Sequence, residues 1–263
     1  MRKPNKRPFR GKKRQEKLER KPDDGLQRLN KVIANSGVCS RREADKLIEA
    51  GLIKVNGKVI IEMGFKVKPG DQVKYQSKVL VGEKKVFILM NKPKDHITTV
   101  TDTHDRRTVM HIVERMCKER VYPVGRLDRN TTGLLLFTND GELAKRLTHP
   151  SYGVKKIYHA ELDKGLTVDD LNSIRKGLYL DDGKAKVDVV DYVGDKKDKR
   201  VIGLELHSGK NRIIRRIFEH LGYKVMKLDR IGYAGLTKKD IPRGRCRYLN
   251  QKEVGMLKMA HGK

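Results

Sequence analysis

The run Leu134-Leu135-Leu136-Phe137 places the firmest constraint on how this chain can fold. Four consecutive apolar residues are long enough for a buried strand and too short for a helix. Gly133 precedes the run, and Asn139-Asp140-Gly141 follows with turn chemistry. Asp140 is suited to cap a helix that opens at Glu142. The residues before the strand, Gly125-Arg126-Leu127-Asp128-Arg129, read as a loop with one carboxylate between two guanidinium groups. A loop pinned by a buried strand is where reactive groups tend to sit.

A single loop aspartate is by itself a turn former or the partner of a nearby arginine. The complete string GRLDRNTTGLLLFTNDG, however, resembles the catalytic motif of RNA pseudouridine synthases, in particular the RsuA/RluB type that modifies ribosomal RNA. That resemblance implies that Asp128 is the essential catalytic residue.

Charge points the same way. Lys and Arg total 61 against 33 Asp and Glu, a formal charge of +28 over 263 residues. Such a surplus indicates a polyanionic partner. Membrane surface is a poor fit, because Trp is absent and no apolar run approaches the roughly 18 residues of a span. The basic N-terminus lacks the apolar stretch of a secretory signal, so the cytoplasm is expected. Cys39, Cys117 and Cys246 are too scattered for a disulfide framework or a zinc site, and neither HExxH nor a phosphate-cradling glycine loop occurs. The chemistry is therefore expected to need no metal and no cofactor.

The chain divides into three parts. Residues 1–25 form a basic, low-complexity tail with almost nothing to bury, expected to be disordered when free. Residues 26–80 begin with helical spacing at Leu29, Val32 and Ile33. Ser40-Arg41-Arg42-Glu43 then reads as a capping box for a second helix, and Asn56-Gly57 as a hairpin turn. RLNKVIANSGVCSRREADKLIEAGLIKVNGKVI resembles the RNA-binding module of small-subunit ribosomal protein S-four. Arg41, Arg42 and Lys46 crowd a helix start that itself favours anions, which makes them RNA-binding candidates. Residues 84–261 make up the third part, the catalytic domain.

Within that domain, Thr108 to Arg120 reads as a helix, and Lys155 to Leu162 as a strand. By the resemblance, Tyr158 lines the uridine pocket. Ser208 to Phe218 reads as a helix whose apolar stripe holds Ile213, Ile214, Ile217 and Phe218. Arg215 and Arg216 flank the stripe, and Arg212 lies opposite. The resemblance makes Arg215 the basic partner of Asp128, while Arg126, Arg212 and Arg216 are candidates for RNA contact. A glutamine is common in the family where Ile213 stands.

Six or more strands with interspersed helices and no regular βαβ alternation indicate an α+β fold, a small helix and hairpin module followed by a mixed-sheet domain. The expected activity is isomerisation of one uridine in ribosomal RNA, with large-subunit RNA favoured, carried out by a monomer acting on RNA or a pre-ribosomal particle. The alternative is a noncatalytic ribosome-assembly factor on the same fold. A double-stranded DNA binder would need a groove-reading motif, and none is recognisable.

The tail's density of charge should add affinity without selectivity. Deleting Met1 to Asp24 should weaken RNA binding and flatten its salt dependence, as measured by binding curves over a salt series, and leave the modified uridine unchanged.

Overall fold

In a computed structural model of the protein, residues 25–194 and 198–259 are described. The basic tail expected over the first 25 residues falls outside them except for Gly25. The described chain separates into two compact units, with the division after Leu80 and Asn35–Val38 grouping with the second unit.

The first unit is built from the signals the sequence carries. Helix Leu29–Asn35 is followed by helix Arg41–Glu49, and the capping box at its start is fully formed. Ser40 Oγ accepts from the Glu43 N–H at 3.2 Å, while Glu43 Oε2 accepts from the Ser40 N–H at 2.7 Å. Asn56 (φ 49°) and Gly57 (φ 84°) turn the chain between strands Ile53–Val55 and Lys58–Val59. Both positive angles suit a two-residue hairpin loop, for which Asn-Gly is the preferred pair. Leu29, Ile33, Ala44, Ile48, Ile53, Val55, Val67 and Val73 close a small core. Arg41, Arg42 and Lys46 stand exposed along the second helix, with Arg41 reaching Asn30 Oδ1 at 3.2 Å.

The second unit is organised on a mixed nine-stranded sheet. From edge to edge, its main path runs Val189–Tyr192, Val201–Leu206, Lys156–Leu162, Val225–Tyr233, Thr132–Thr138, Phe87–Lys92 and Cys246–Tyr248. The pairing between Val225–Tyr233 and Thr132–Thr138 is parallel and short, with Asp229 opposite Thr132 and Arg230 opposite Gly133. The other neighbours on this path pair antiparallel.

The apolar run is explained by this central position. Leu135 and Phe137 enter a core that includes Ile88, Met90, Ala160, Ile214 and Phe218. Leu134 and Leu136 point the other way, towards Phe87, Leu89, Leu143, Leu147 and Leu257. A strand covered on both faces has no reason to alternate apolar and polar residues. All four side chains are fully buried, each stabilising the fold by about 1.5–3 kcal/mol relative to exposure. The helices are capped as their sequences suggest. Asp140 Oδ1 accepts from Leu143 N–H at 3.1 Å for Gly141–Thr148, and Asn250 Oδ1 accepts from Glu253 N–H at 2.9 Å for Gln251–Met259.

Two expectations change. The helix read over 108–120 contracts to Met110–Val113, continued by turns to Met116. The 208–218 helix begins only at Ile213, because Arg212 takes a left-handed conformation (φ 46°) that a helix cannot include. A hairpin also forms between Leu178–Leu180 and Gly183–Ala185.

Gly133 marks the tightest approach in the sheet. It has φ +104°, and a Cβ there would collide with the Arg230 backbone and the Asp229 side chain. Gly133→Ala should therefore lower unfolding stability by about 2–4 kcal/mol, read as a shift of the urea midpoint.

Candidate active site

The Asp128 loop is held from below by a lysine. Lys92 ends strand Phe87–Lys92 and is fully buried. Its Nζ donates to four carbonyl oxygens, those of Pro93 (3.1 Å), Asp128 (3.2 Å), Arg129 (3.1 Å) and Thr131 (2.9 Å). Three of these belong to the loop that carries the aspartate. Burial brings the ammonium down to about 8, with the Asp128 carboxylate opposing that shift and Arg243 reinforcing it. Without the carbonyls, a charge placed so deeply would be prohibitive.

Further ties fix the same loop from its sides. Thr98 Oγ1 donates to the Leu127 carbonyl at 2.8 Å, and Thr131 N–H donates to the Asp128 carbonyl at 3.0 Å. The Arg129 guanidinium pairs with Asp95 at 2.5 Å, so this arginine is directed away from Asp128. Beneath the following strand, Asp229 accepts from Thr132 Oγ1 (2.8 Å) and Arg243 (3.0 Å) and also meets Lys238. Burial pulls the Asp229 carboxyl upward, but those three donors outweigh it and the group is held below its ordinary value.

Asp128 opens into a cleft of about 510 Å³. Tyr158, on strand Lys156–Leu162, forms part of its wall and is only 8% exposed. Arg126 is exposed at its rim. Segment 208–214 supplies the facing wall, where Ile213 presents apolar surface in place of a polar amide. The Asp128 side chain is 40% exposed, so in the empty cleft it is half-buried and not sealed from water.

The basic partners differ in arrangement from the sequence reading. Arg212, expected on the far face of a helix, uses its left-handed backbone to turn towards the loop, and its Nη1 lies 3.9 Å from Asp128 Oδ2. It also reaches Glu219 at 3.3 Å. Arg215 directs Nη1 to the Val225 carbonyl at 2.8 Å. Burial, then the adjacent Arg212 charge, lowers the Arg215 guanidinium from its ordinary value, while the Asp128 charge opposes this. Asp128 thus faces two arginines, with the direct contact from Arg212 and a longer-range attraction from Arg215.

Arg216 is engaged elsewhere. It forms a two-pronged pair with Asp182 at 2.6 and 2.9 Å, holding that carboxyl down at about 2. Lys210 donates to the Asp182 carbonyl at 3.0 Å. These contacts tie the turn of the Leu178–Ala185 hairpin to the cleft wall, so Arg216 braces the wall through its side chain.

Sequence reasoning missed Lys92, Lys156 and Arg230 as parts of this site. The Asn91-Lys92-Pro93 signal reads as a strand end, which is correct but silent about where the amine goes. Arg230 lies 96 positions from Leu134, whose carbonyl accepts from its Nε at 2.7 Å, so no local pattern could reveal the pairing.

The model of the RNA pseudouridylate synthase family matches residues 86–220, and that of the S4 domain matches residues 27–73. The chain is 41% identical to a ribosomal large subunit pseudouridine synthase B of Bacillus subtilis (strain 168), over 90% of this chain and 99% of that one. It is 35% identical to the protein of the same name from Vibrio cholerae, over 88% of this chain and 74% of that one. A solved structure described as a pseudouridylate synthase superposes with a TM-score of 0.61 at 25% identity, covering 88% of this chain and 99% of the other.

Replacing Lys92 with Met would keep the packing volume and strip four carbonyls of their donor. Lys92→Met should cost about 1–3 kcal/mol of stability and lower turnover more than RNA affinity, seen by thermal denaturation alongside single-turnover rates.

Proposed function

Because the chain belongs to the RNA pseudouridylate synthase family, we propose that it converts a uridine of ribosomal RNA into pseudouridine with Asp128 as the acting carboxylate. The observation that carries this reading is the placement of Asp128. A half-buried carboxylate stands in a cleft wide enough for a nucleoside, on a loop locked to the sheet, with an arginine 3.9 Å away and a tyrosine in the adjoining wall.

The reaction breaks the bond between ribose C1′ and uracil N1, turns the base, and joins C1′ to C5, with one proton leaving C5 and one added at N1. Redox change and phosphoryl transfer play no part. An anion beside C1′ serves by attacking it or by assisting departure of the uracil, and either role needs the charge. The Arg212 and Arg215 cations keep that charge favourable as RNA excludes water from the cleft. Tyr158 offers a rigid face for the uracil ring and a hydroxyl for proton movement.

A uridine in folded RNA must leave its stack to reach this cleft, at a cost of a few kcal/mol. Arg126, at the rim, is suited to hold phosphate or fill the space the base vacates. In the first unit, Arg41, Arg42 and Lys46 present charge at a helix start, where RNA phosphates would orient the substrate. Large-subunit ribosomal RNA is the substrate favoured by the likeness to the Bacillus and Vibrio proteins. Such a substrate places the reaction in the cytoplasm.

Mapping pseudouridine in ribosomal RNA from cells with and without the protein should reveal a site that depends on it. Asp128→Asn keeps the volume and the turn preference but removes the charge. Conversion should fall by at least about 10³-fold, while circular dichroism and RNA affinity stay near wild type. A folded Asn variant that still converts the uridine would overturn the assignment and favour a protein that only binds RNA.

A further inference from the structure

Most cations around the cleft have carboxylate partners. Arg212 has Asp128 and Glu219, Arg129 has Asp95, Arg106 has Asp102, and Lys210 has Asp182. Besides Arg126, which is exposed at the rim, two cations withdrawn from water differ, Arg230 and Lys156. Both line the cleft, yet among the described residues no carboxylate lies within ion-pair distance of either.

Arg230 lies in the parallel junction, opposite Gly133 on one side and Tyr158 on the other. It is 2% exposed. Its Nε is satisfied by the Leu134 carbonyl, and its guanidinium carbon sits 4.6 Å from the centre of the Tyr233 ring. Its Nη2 is buried and has no hydrogen-bond partner. Lys156, two residues before Tyr158 on the same strand, is half-buried, and its Nζ donates only to the Val154 (3.1 Å) and His207 (2.8 Å) carbonyls.

Two neighbouring cations removed from water, with no carboxylate in contact, are unfavourable for the empty fold. Burial, then the Arg230 charge, bring the Lys156 ammonium down to about 8, against a longer-range pull from Asp188. An arrangement of this kind becomes favourable when an anion joins it, because an arginine fork and an ammonium together match the oxygens of a phosphodiester. A carboxylate from the protein would have occupied the position permanently and shut the ligand out.

We propose that Arg230 and Lys156 form a seat for one backbone phosphate of the RNA, adjacent to the uridine whose base enters the Asp128 cleft. The proposal rests on the RNA-modifying reading above and extends it, by separating a phosphate subsite at the floor of the cleft from the base subsite beside Asp128 and Tyr158. Holding the phosphate there fixes the ribose, and with it C1′, relative to the carboxylate. Neither residue needs to touch the reacting atoms, so both are positioning residues.

The test uses the full-length protein and an RNA fragment spanning the uridine identified by mapping. Phosphates flanking that uridine are replaced one at a time by neutral methylphosphonate linkages. One replacement should weaken wild-type binding about ten- to a hundred-fold, the expected loss for a charge-assisted contact. The same replacement should cost Lys156→Gln several-fold less than it costs the wild type, because one of the two cations is already gone. Lys156→Gln should also bind the unmodified RNA with a salt slope shallower by about one. Arg230→Lys retains the charge without the fork and should show an intermediate penalty. Arg230→Gln serves only if it folds, and the Lys156 variant decides the matter without it. Uniform tolerance of every linkage by the wild type, or an equal penalty in wild type and Lys156→Gln, would overturn the seat. Wild-type conversion of the unmodified fragment, measured in the same assay, tells that failure apart from failure of the isomerase reading.

Discussion

Four carbonyl oxygens around one buried ammonium give the site its shape. Lys92 joins the end of strand Phe87–Lys92 to the backbone of residues 128, 129 and 131, so the aspartate's position follows from the sheet and not from loop contacts alone. Loops that carry reactive groups must resist displacement, since small errors in placement at a reacting centre are costly. Hydrogen bonds to a charged donor are among the stronger ones available, and here they are shielded from water. The Gly133 approach to Arg230 sets the same loop from the other end, by closing the distance between two strands to a value that no side chain permits.

From that fixed loop outward, the cleft is an electrostatic arrangement with one carboxylate among many cations. Arg212 and Arg215 act on Asp128 from the facing helix start, the first through contact and the second at longer range. Arg216 and Lys210 are spent on Asp182, so their charge supports the wall and adds less to the surface than their positions suggest. An exposed pair at 3.9 Å contributes little to stability. In the proposed reaction its value lies in the field it imposes at the Asp128 carboxylate.

The first unit shows how much a short segment can settle locally. Its capping box and its Asn-Gly turn each follow from near neighbours in the chain, and its eight-residue core spans only residues 29 to 73. Exposed arginines at the capped helix start add direction to a charge that, for the whole chain, reaches +28. Electrostatic attraction of this kind draws RNA close without selecting a sequence.

The sequence by itself determined what depends on neighbours a few residues apart. The buried Leu134–Phe137 strand, the Asp140 cap, the Ser40 capping box and the Asn56-Gly57 turn were all legible, because apolar runs and cap residues act over one turn or one strand. The GRLD string also singled out Asp128. Only the tertiary structure decided which cations serve it. Arg212 turns to the aspartate through a left-handed backbone that no periodicity announces, and Arg216 is claimed by Asp182, 34 positions away. Lys92 and Arg230 took their places through contacts 36 to 39 and 96 positions distant. Such partners are chosen by the order of strands in a sheet, and strand order is set by how two apolar faces are covered at once, a condition that the whole chain satisfies together.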